Sequence, residues 1–118
     1  MSDIRVRHWN ETIDGPLDHN TLRKKLENEG YRVNSYTYSP GTFFGNHKHG
    51  VSKIDAGLSG TFRIGMDGKF IYLKAGDWVE VPAGAVHSAE VLGNKPVVSL
   101  DAVKINRLSI NLMNLQLS

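Results

Sequence analysis

The sequence predicts an all-β fold, a sandwich or barrel and within that class a jelly roll, on three observations. From Tyr31 to Val103, short runs rich in aromatic and β-branched residues alternate with glycine-bearing turns. Only one stretch carries a helical pattern, from about Asn20 to Glu29. The chain of 118 residues is long enough for one domain with a real core.

The N-terminal residues hold a short extended piece, Ile4-Arg5-Val6-Arg7, and the turn formers Asp14-Gly15-Pro16. The helix follows: Asp18 or Asn20 caps it, Leu22 and Leu26 share a face, and Gly30 stops it. Its apolar stripe is narrow, so it is expected on the outside of something larger. The cluster Arg23-Lys24-Lys25 beside Glu27 and Glu29 reads as a solvated helix face. Strands are then expected over Tyr31–Tyr38, in the histidine-bearing stretch Gly41–Lys53, and over Lys53–Ser59 and Thr61–Gly65. Asp67-Gly68 is a strong hairpin signal, returning through Lys69–Leu73. Trp78–Val81, His87–Leu92 and Pro96–Val103 complete the series. The expected organisation is an N-terminal strand and helix (1–30) packing on a barrel (31–103), then a tail (104–118). In the tail, Leu108, Ile110 and Leu112 fit a strand while Leu108, Leu112 and Leu115 fit a helix. An edge strand, a subunit contact and an appended extension all stay open.

Composition excludes several classes of function. The formal net charge is only +2, far from the basic stripe of a nucleic-acid binder. There are no cysteines, which removes disulfides, thiolate metal sites and cysteine nucleophiles. The charged N-terminus shows no signal peptide, and no stretch is apolar enough to span a membrane, so the expectation is a cytoplasmic protein.

The chemistry concentrates in Gly41–Lys53, where His47 and His49 stand one residue apart. In an extended backbone both point to the same side and can grip one ion, but two ligands make a weak site. A second constellation lies downstream, Gly76-Asp77-Trp78-Val79-Glu80-Val81-Pro82-Ala83-Gly84-Ala85-Val86-His87. Together the two resemble the paired motifs of the cupin superfamily, in its small single-domain RmlC-like form. The first has the form G-x5-H-x-H-x3/4-E-x6-G, and Gly41, His47, His49 and Gly60 match it. The second has the form G-x5-P-x-G-x2-H-x3-N, and Gly76, Pro82, Gly84 and His87 match it. The resemblance covers roughly residues 31–103. It implies a double-stranded β-helix barrel with one divalent transition metal (Fe, Zn, Ni, Cu or Mn) held by His47, His49 and His87. Three neutral imidazoles suit such an ion and leave coordination positions for water or substrate.

The pattern breaks at Lys53, which stands where the family places a glutamate ligand. A protonated ammonium cannot ligate. By strand parity Lys53 and Asp55 face one side, and a Lys53–Asp55 pair on the cavity wall or rim is expected. Alternatively Lys53 is a functional group, its acidity raised by burial and a nearby cation, or an anchor for a substrate carboxylate. A third reading has Lys53 replacing the metal's charge and leaving a weak or empty site. These considerations make Lys53 and Asp55 the candidate catalytic residues. Val91 replaces the second motif's Asn, with no functional meaning attached. Gly57 is expected to face inward and leave room for a ligand, or to mark a bulge.

The remaining candidates are weaker. His8 and His19 are expected at the surface, and Trp9 and Trp78 as core or interface anchors. Parity cannot say which of Tyr36, Tyr38 and Tyr72 reaches the cavity. Glu90 should face away from the metal. Asp101 is either a partner orienting a histidine or hydrogen-bonded at an edge. On the opposite face of the Lys53 strand, Ile54, Ala56 and Leu58 form an apolar row. A homodimer, common among cupins, would cover it; the helix or the tail are the alternatives. Two functions compete: a metalloenzyme of dioxygenase, isomerase or lyase type acting on a small polar molecule, and a non-catalytic cupin that binds a small ligand or senses metal. A cupin fold by itself cannot choose between them.

Overall fold

The turn-punctuated run from Tyr31 folds into two facing antiparallel sheets in the computed structural model, which describes residues 4–105. The elements are β1 (Val6–His8), α1 (Glu11–Asp14), α2 (His19–Asn28), β2 (Tyr31–Tyr38), β3 (Phe43–His47), β4 (Lys53–Ser59), β5 (Thr61–Met66), β6 (Lys69–Leu73), β7 (Asp77–Val81), β8 (His87–Leu92) and β9 (Val97–Lys104). One sheet has the order β1-β7-β4-β9-β2 and the other β3-β8-β5-β6. Of the expected tail (104–118), Lys104 ends β9, and the residues after Ile105 lie outside the described residues.

Local chemistry explains the elements. Asp18 caps α2 by accepting from the Thr21 N–H at 2.8 Å, while the Thr21 hydroxyl oxygen accepts from the Asp18 N–H at 2.9 Å. The Asp67-Gly68 turn has both residues at positive φ (56° and 71°), the geometry that matches the twist of a tight hairpin. The short helix α1 has no apolar periodicity and is not foreseen by the pattern; the Asn10 side chain caps it through the Thr12 N–H.

The molecule has two apolar layers. Between the sheets, Phe62, Ile64, Met66, Leu73, Val79, Val81, Ala89, Val91 and Val97 form one core. On the far side of the five-stranded sheet, Ile54, Ala56, Trp78, Leu100 and Ala102 meet Leu22 and Leu26 of α2. The apolar row of β4 is therefore covered within the chain at Ile54 (5% exposed) and Ala56 (1%). That row no longer calls for a second subunit.

The basic cluster of α2 is not simply solvated. Arg23 donates to the Val33 carbonyl at 2.9 Å. Lys25 pairs with Asp14 at 3.0 Å and lies 5.8 Å from the Trp78 ring centroid, so its stem closes the edge of this second core.

Of the two expectations for Gly57, room for a ligand or a bulge, the structure shows the bulge. A side chain there would meet the Lys74 carbonyl oxygen at 3.0 Å, and the Gly57 carbonyl accepts from Gly76 N–H at 2.9 Å. The glycine permits the β6–β7 turn to sit against β4, at a register irregularity between Gly57 and Ser59.

Candidate metal centre

The inner face of the five-stranded sheet is apolar on β7 but polar on β4 and β9. With helix α2 burying the outer side chains of β4 and β9, Lys53, Asp55, Ser99 and Asp101 are left facing the interior. Opposite them the four-stranded sheet brings three histidines together. A cavity of about 290 Å³ lies between, lined by the histidines, Lys53, Asp55 and Asp101 and by Tyr36, Tyr38, Phe44, Phe62 and Ala89. Its volume is near the lower end of small-molecule sites.

Each histidine reaches this place by a different device. His87 opens β8 and is buried. It follows the Pro82–Gly84 turn, closed by the Ala85 N–H donating to the Pro82 carbonyl at 3.1 Å. His47 pairs with His87 across the β3–β8 ladder, but the register slips between Phe44 and His47. Three steps on β3 there match two on β8, so the extra residue turns His47 to the same side as Phe44. His49 lies beyond the end of β3 rather than in a continuous strand. Its carbonyl accepts from the Gly84 N–H at 2.8 Å, and the Ala83 N–H donates to the Ser52 hydroxyl at 3.1 Å. The loop carrying His49 is thus fastened to the turn that precedes His87.

The candidate ligand atoms of His47, His49 and His87 all lie within 4.8 Å of one another. Two tautomers are fixed by the backbone. The His47 Nδ1 sits 2.7 Å from the Gly45 carbonyl oxygen and the His87 Nδ1 2.9 Å from that of Ala85. A carbonyl only accepts, so each Nδ1 carries the proton and each Nε2 keeps its lone pair for a ligand. The two carbonyls orient these rings, and Asp101, expected either to orient a histidine or to be hydrogen-bonded at an edge, bonds Lys53 and Ser99. Burial holds His49 below the ordinary histidine range, helped by the positive charge of Lys53 and the neighbouring imidazoles and opposed by Asp101. Burial also lowers His87, with His47 and Lys53 contributing and the Ala85 hydrogen bond opposing. Three converging imidazoles, two of them with Nε2 left free by a backbone hydrogen bond at Nδ1, are a donor set that suits a divalent transition ion, so these residues fit such an ion.

Lys53 does not take Asp55 as its ion-pair partner. Its Nζ donates to Asp101 Oδ2 at 3.4 Å, and the Ser99 hydroxyl donates to Asp101 Oδ1 at 3.3 Å. Asp55 stands directly opposite Asp101 in the β4–β9 ladder. Burial and the Asp101 charge push the Asp55 carboxyl up to about 7, with Lys53 pulling the other way. Tyr36 and Tyr38 are the tyrosines of the cavity wall, whereas Tyr72 faces outward and is 48% exposed. Burial and the carboxylates of Asp101 and Asp55 raise Tyr38 to about 12, so its hydroxyl keeps its proton. Glu90 points away from the histidines, as parity requires, and pairs with Arg63. His8 is on the surface beside Asp77 at 2.6 Å, and His19 is exposed.

No curated protein matches the chain. Solved structures do. A conserved uncharacterised protein with a double-stranded β-helix domain from Klebsiella pneumoniae is 26% identical, with 64% of this chain and 67% of that one covered at a TM-score of 0.55. An RmlC-like cupin from Shewanella frigidimarina is 22% identical, with 69% and 71% covered and a TM-score of 0.57. The DMSP lyase DddQ from Ruegeria pomeroyi is 22% identical, with 66% of this chain but 40% of that chain covered, at a TM-score of 0.58. The last two likenesses are likenesses of fold. The family described as Cupin domain matches residues 34–103, more than half of the sequence and the whole span of both histidine motifs. The chain belongs to the cupin family.

Proposed function

We propose that this protein is a metal-binding cupin acting on a small polar molecule, with His47, His49 and His87 holding one divalent transition ion. The observation that carries the reading is the convergence of three imidazoles within 4.8 Å beside a cavity of about 290 Å³. When bound, the ion would supply Lewis-acid or oxygen-activating chemistry. The chain's own residues divide the remaining work. The Tyr38 hydroxyl, kept protonated, is a hydrogen-bond donor on the wall. Lys53 places a positive charge near the imidazoles, and Asp55 supplies a carboxyl whose proton comes off near neutrality. Lys53 and Asp55 are the proposed catalytic residues, for a reaction of dioxygenase, isomerase or lyase type. The lyase among the solved structures argues for the fold and leaves that choice to experiment.

A second reading, a non-catalytic cupin that holds a small ligand or senses metal, is favoured by one fact: the usual glutamate ligand is replaced by Lys53, a cation tied to Asp101. Elemental analysis of protein purified without a metal-affinity tag separates the two. Iron points to oxygenase chemistry, zinc or nickel to isomerase or lyase chemistry, and no metal to the binding module. A cytoplasmic location is part of the proposal; no described helix is long and apolar enough to cross a membrane. A homodimer is also part of it, resting now on the exposed Phe43, Phe70 and Tyr72 of the four-stranded sheet. Light scattering tests it, and a monomer at micromolar concentration would remove it.

A further inference from the structure

Two aspartates placed directly opposite each other on neighbouring strands form an arrangement that a sheet ordinarily avoids. Like charges at such positions are only about 5 Å apart and destabilise the pair. Asp55 and Asp101 occupy this relation across β4 and β9, on the cavity side of both strands. Their surroundings are unequal. Asp101 receives the Lys53 ammonium at 3.4 Å on one oxygen and the Ser99 hydroxyl at 3.3 Å on the other. Asp55 has apolar Val79 opposite it on its other flank, and among the described residues its hydrogen-bond partner is Asp101. Two carboxyls can bond to each other only if one holds a proton. The donors around Asp101 mark it as the ionised member and Asp55 as the carrier.

We propose that Asp55 and Asp101 form a carboxyl pair that shares one proton and serves as proton donor and acceptor for a small hydroxy or oxo compound held in the cavity. The proposal rests on the small-molecule reading of the cavity given above and names its acid–base element. The groups facing the pair are Lys53 from β4, Ser99 from β9, Tyr36 and Tyr38 from β2, and the three histidines from β3, its following loop and β8. Tyr38 keeps its proton, and the histidines serve the candidate ion. The dyad is what remains for moving a proton near pH 7, where Asp55 titrates.

The ligand class follows from the mixed lining of the cavity. Clustered aromatic rings of Tyr36, Tyr38, Phe44 and Phe62 share the lining with the histidines, Lys53 and the carboxyl pair. A volume of about 290 Å³ equals roughly ten water molecules, which limits the ligand to a small one. In the forward step the Asp55 O–H bond breaks, its proton passes to a lone pair of a ligand oxygen to form a new O–H bond, and the electron pair stays on the Asp55 carboxylate. Lys53 supplies a nearby positive charge. The reverse step returns the proton, and no oxidant or reductant is consumed.

The test is a carbon-13 NMR titration of the aspartate carboxyls in the full chain, as purified and after chelator treatment. One carboxyl is expected to titrate near pH 7 and to be absent in Asp55→Asn. In Asp101→Asn the Asp55 midpoint should fall, because a negative neighbour is gone. In Lys53→Met it should rise. If Asp55→Asn does not fold, the wild-type titration and Asp101→Asn carry the result. The dyad is overturned if every aspartate titrates at about 5 or below, or if Asp101→Asn leaves the midpoint in place. Glycolate, a minimal hydroxy acid, is the ligand probe. Its addition should move the Asp55 resonance, and an unmoved resonance overturns the ligand class. Metal content is read separately. A metal-free chain that shows the shared proton fails the metal reading alone, and a metal-loaded chain with ordinary aspartates fails the dyad alone.

Discussion

Replacing Asp55 by Asn should make the stability of this protein less sensitive to pH, and the size of the effect can be worked from its surroundings. The fold raises the Asp55 carboxyl from 3.8 to about 7, through burial first and the Asp101 charge second. The native state therefore holds this proton more tightly than the unfolded chain does. The contribution to stability is fully present below the unfolded value and is lost as pH rises through the folded one. Between pH 5 and pH 8 about two units of that difference are traversed, which at ~1.4 kcal/mol per unit is on the order of 3 kcal/mol. Asn carries no ionising group, so Asp55→Asn should gain stability relative to wild type by about that amount on going from pH 5 to pH 8. The assay is urea unfolding of chelator-treated protein at both pH values. Histidine ionisation is common to both proteins and cancels in the comparison. A substitution effect that is the same at pH 5 and pH 8 would refute the reasoning.

Other outcomes follow from the packing and the site. Leu26→Ala removes a side chain 1% exposed between α2 and the sheet and should cost about 2–5 kcal/mol in urea unfolding without changing metal content. His49 and His87 are held below the ordinary histidine value, so their contribution to stability is present above about 6.5 and lost as pH falls through their folded values. Zinc binding, followed by chelator competition, should accordingly persist at mildly acid pH before failing. Lys53→Met removes a like charge from the neighbourhood of the ion and should raise metal affinity several-fold; unchanged affinity and unchanged ligand binding would remove Lys53 from the mechanism.

The parts of this molecule that could be read from its sequence are those fixed by neighbours in the chain. Asp67-Gly68 announces its hairpin because few other dipeptides adopt positive φ twice. Asp18 and Thr21 announce the start of α2, and the Pro82–Gly84 turn announces the return to His87. The histidine triad was legible because motif spacing encodes it. The manner of its assembly was not, since a bulge in β3 and a loop hydrogen bond to Gly84 place His47 and His49 where strand alternation would not. Long-range choices were equally hidden. Lys53 takes its partner 48 residues away on β9 instead of two residues along its own strand. Parity placed Asp55 correctly on the inner face, but only the register of β4 against β9 reveals that Asp101 stands opposite it. The covering of Ile54 and Ala56 by α2 depends on how an amphipathic helix docks, which its narrow stripe leaves open.

The central claim is that His47, His49 and His87 hold one divalent transition metal, and the most direct measurement is elemental analysis of tag-free protein beside its His87→Ala variant. One metal ion per chain is expected in the wild-type protein, and its loss is expected in His87→Ala with the circular dichroism of the β fold retained. A wild-type chain that takes up no iron, zinc, nickel, copper or manganese when these are supplied, or a His87→Ala chain that keeps its metal, would contradict the account.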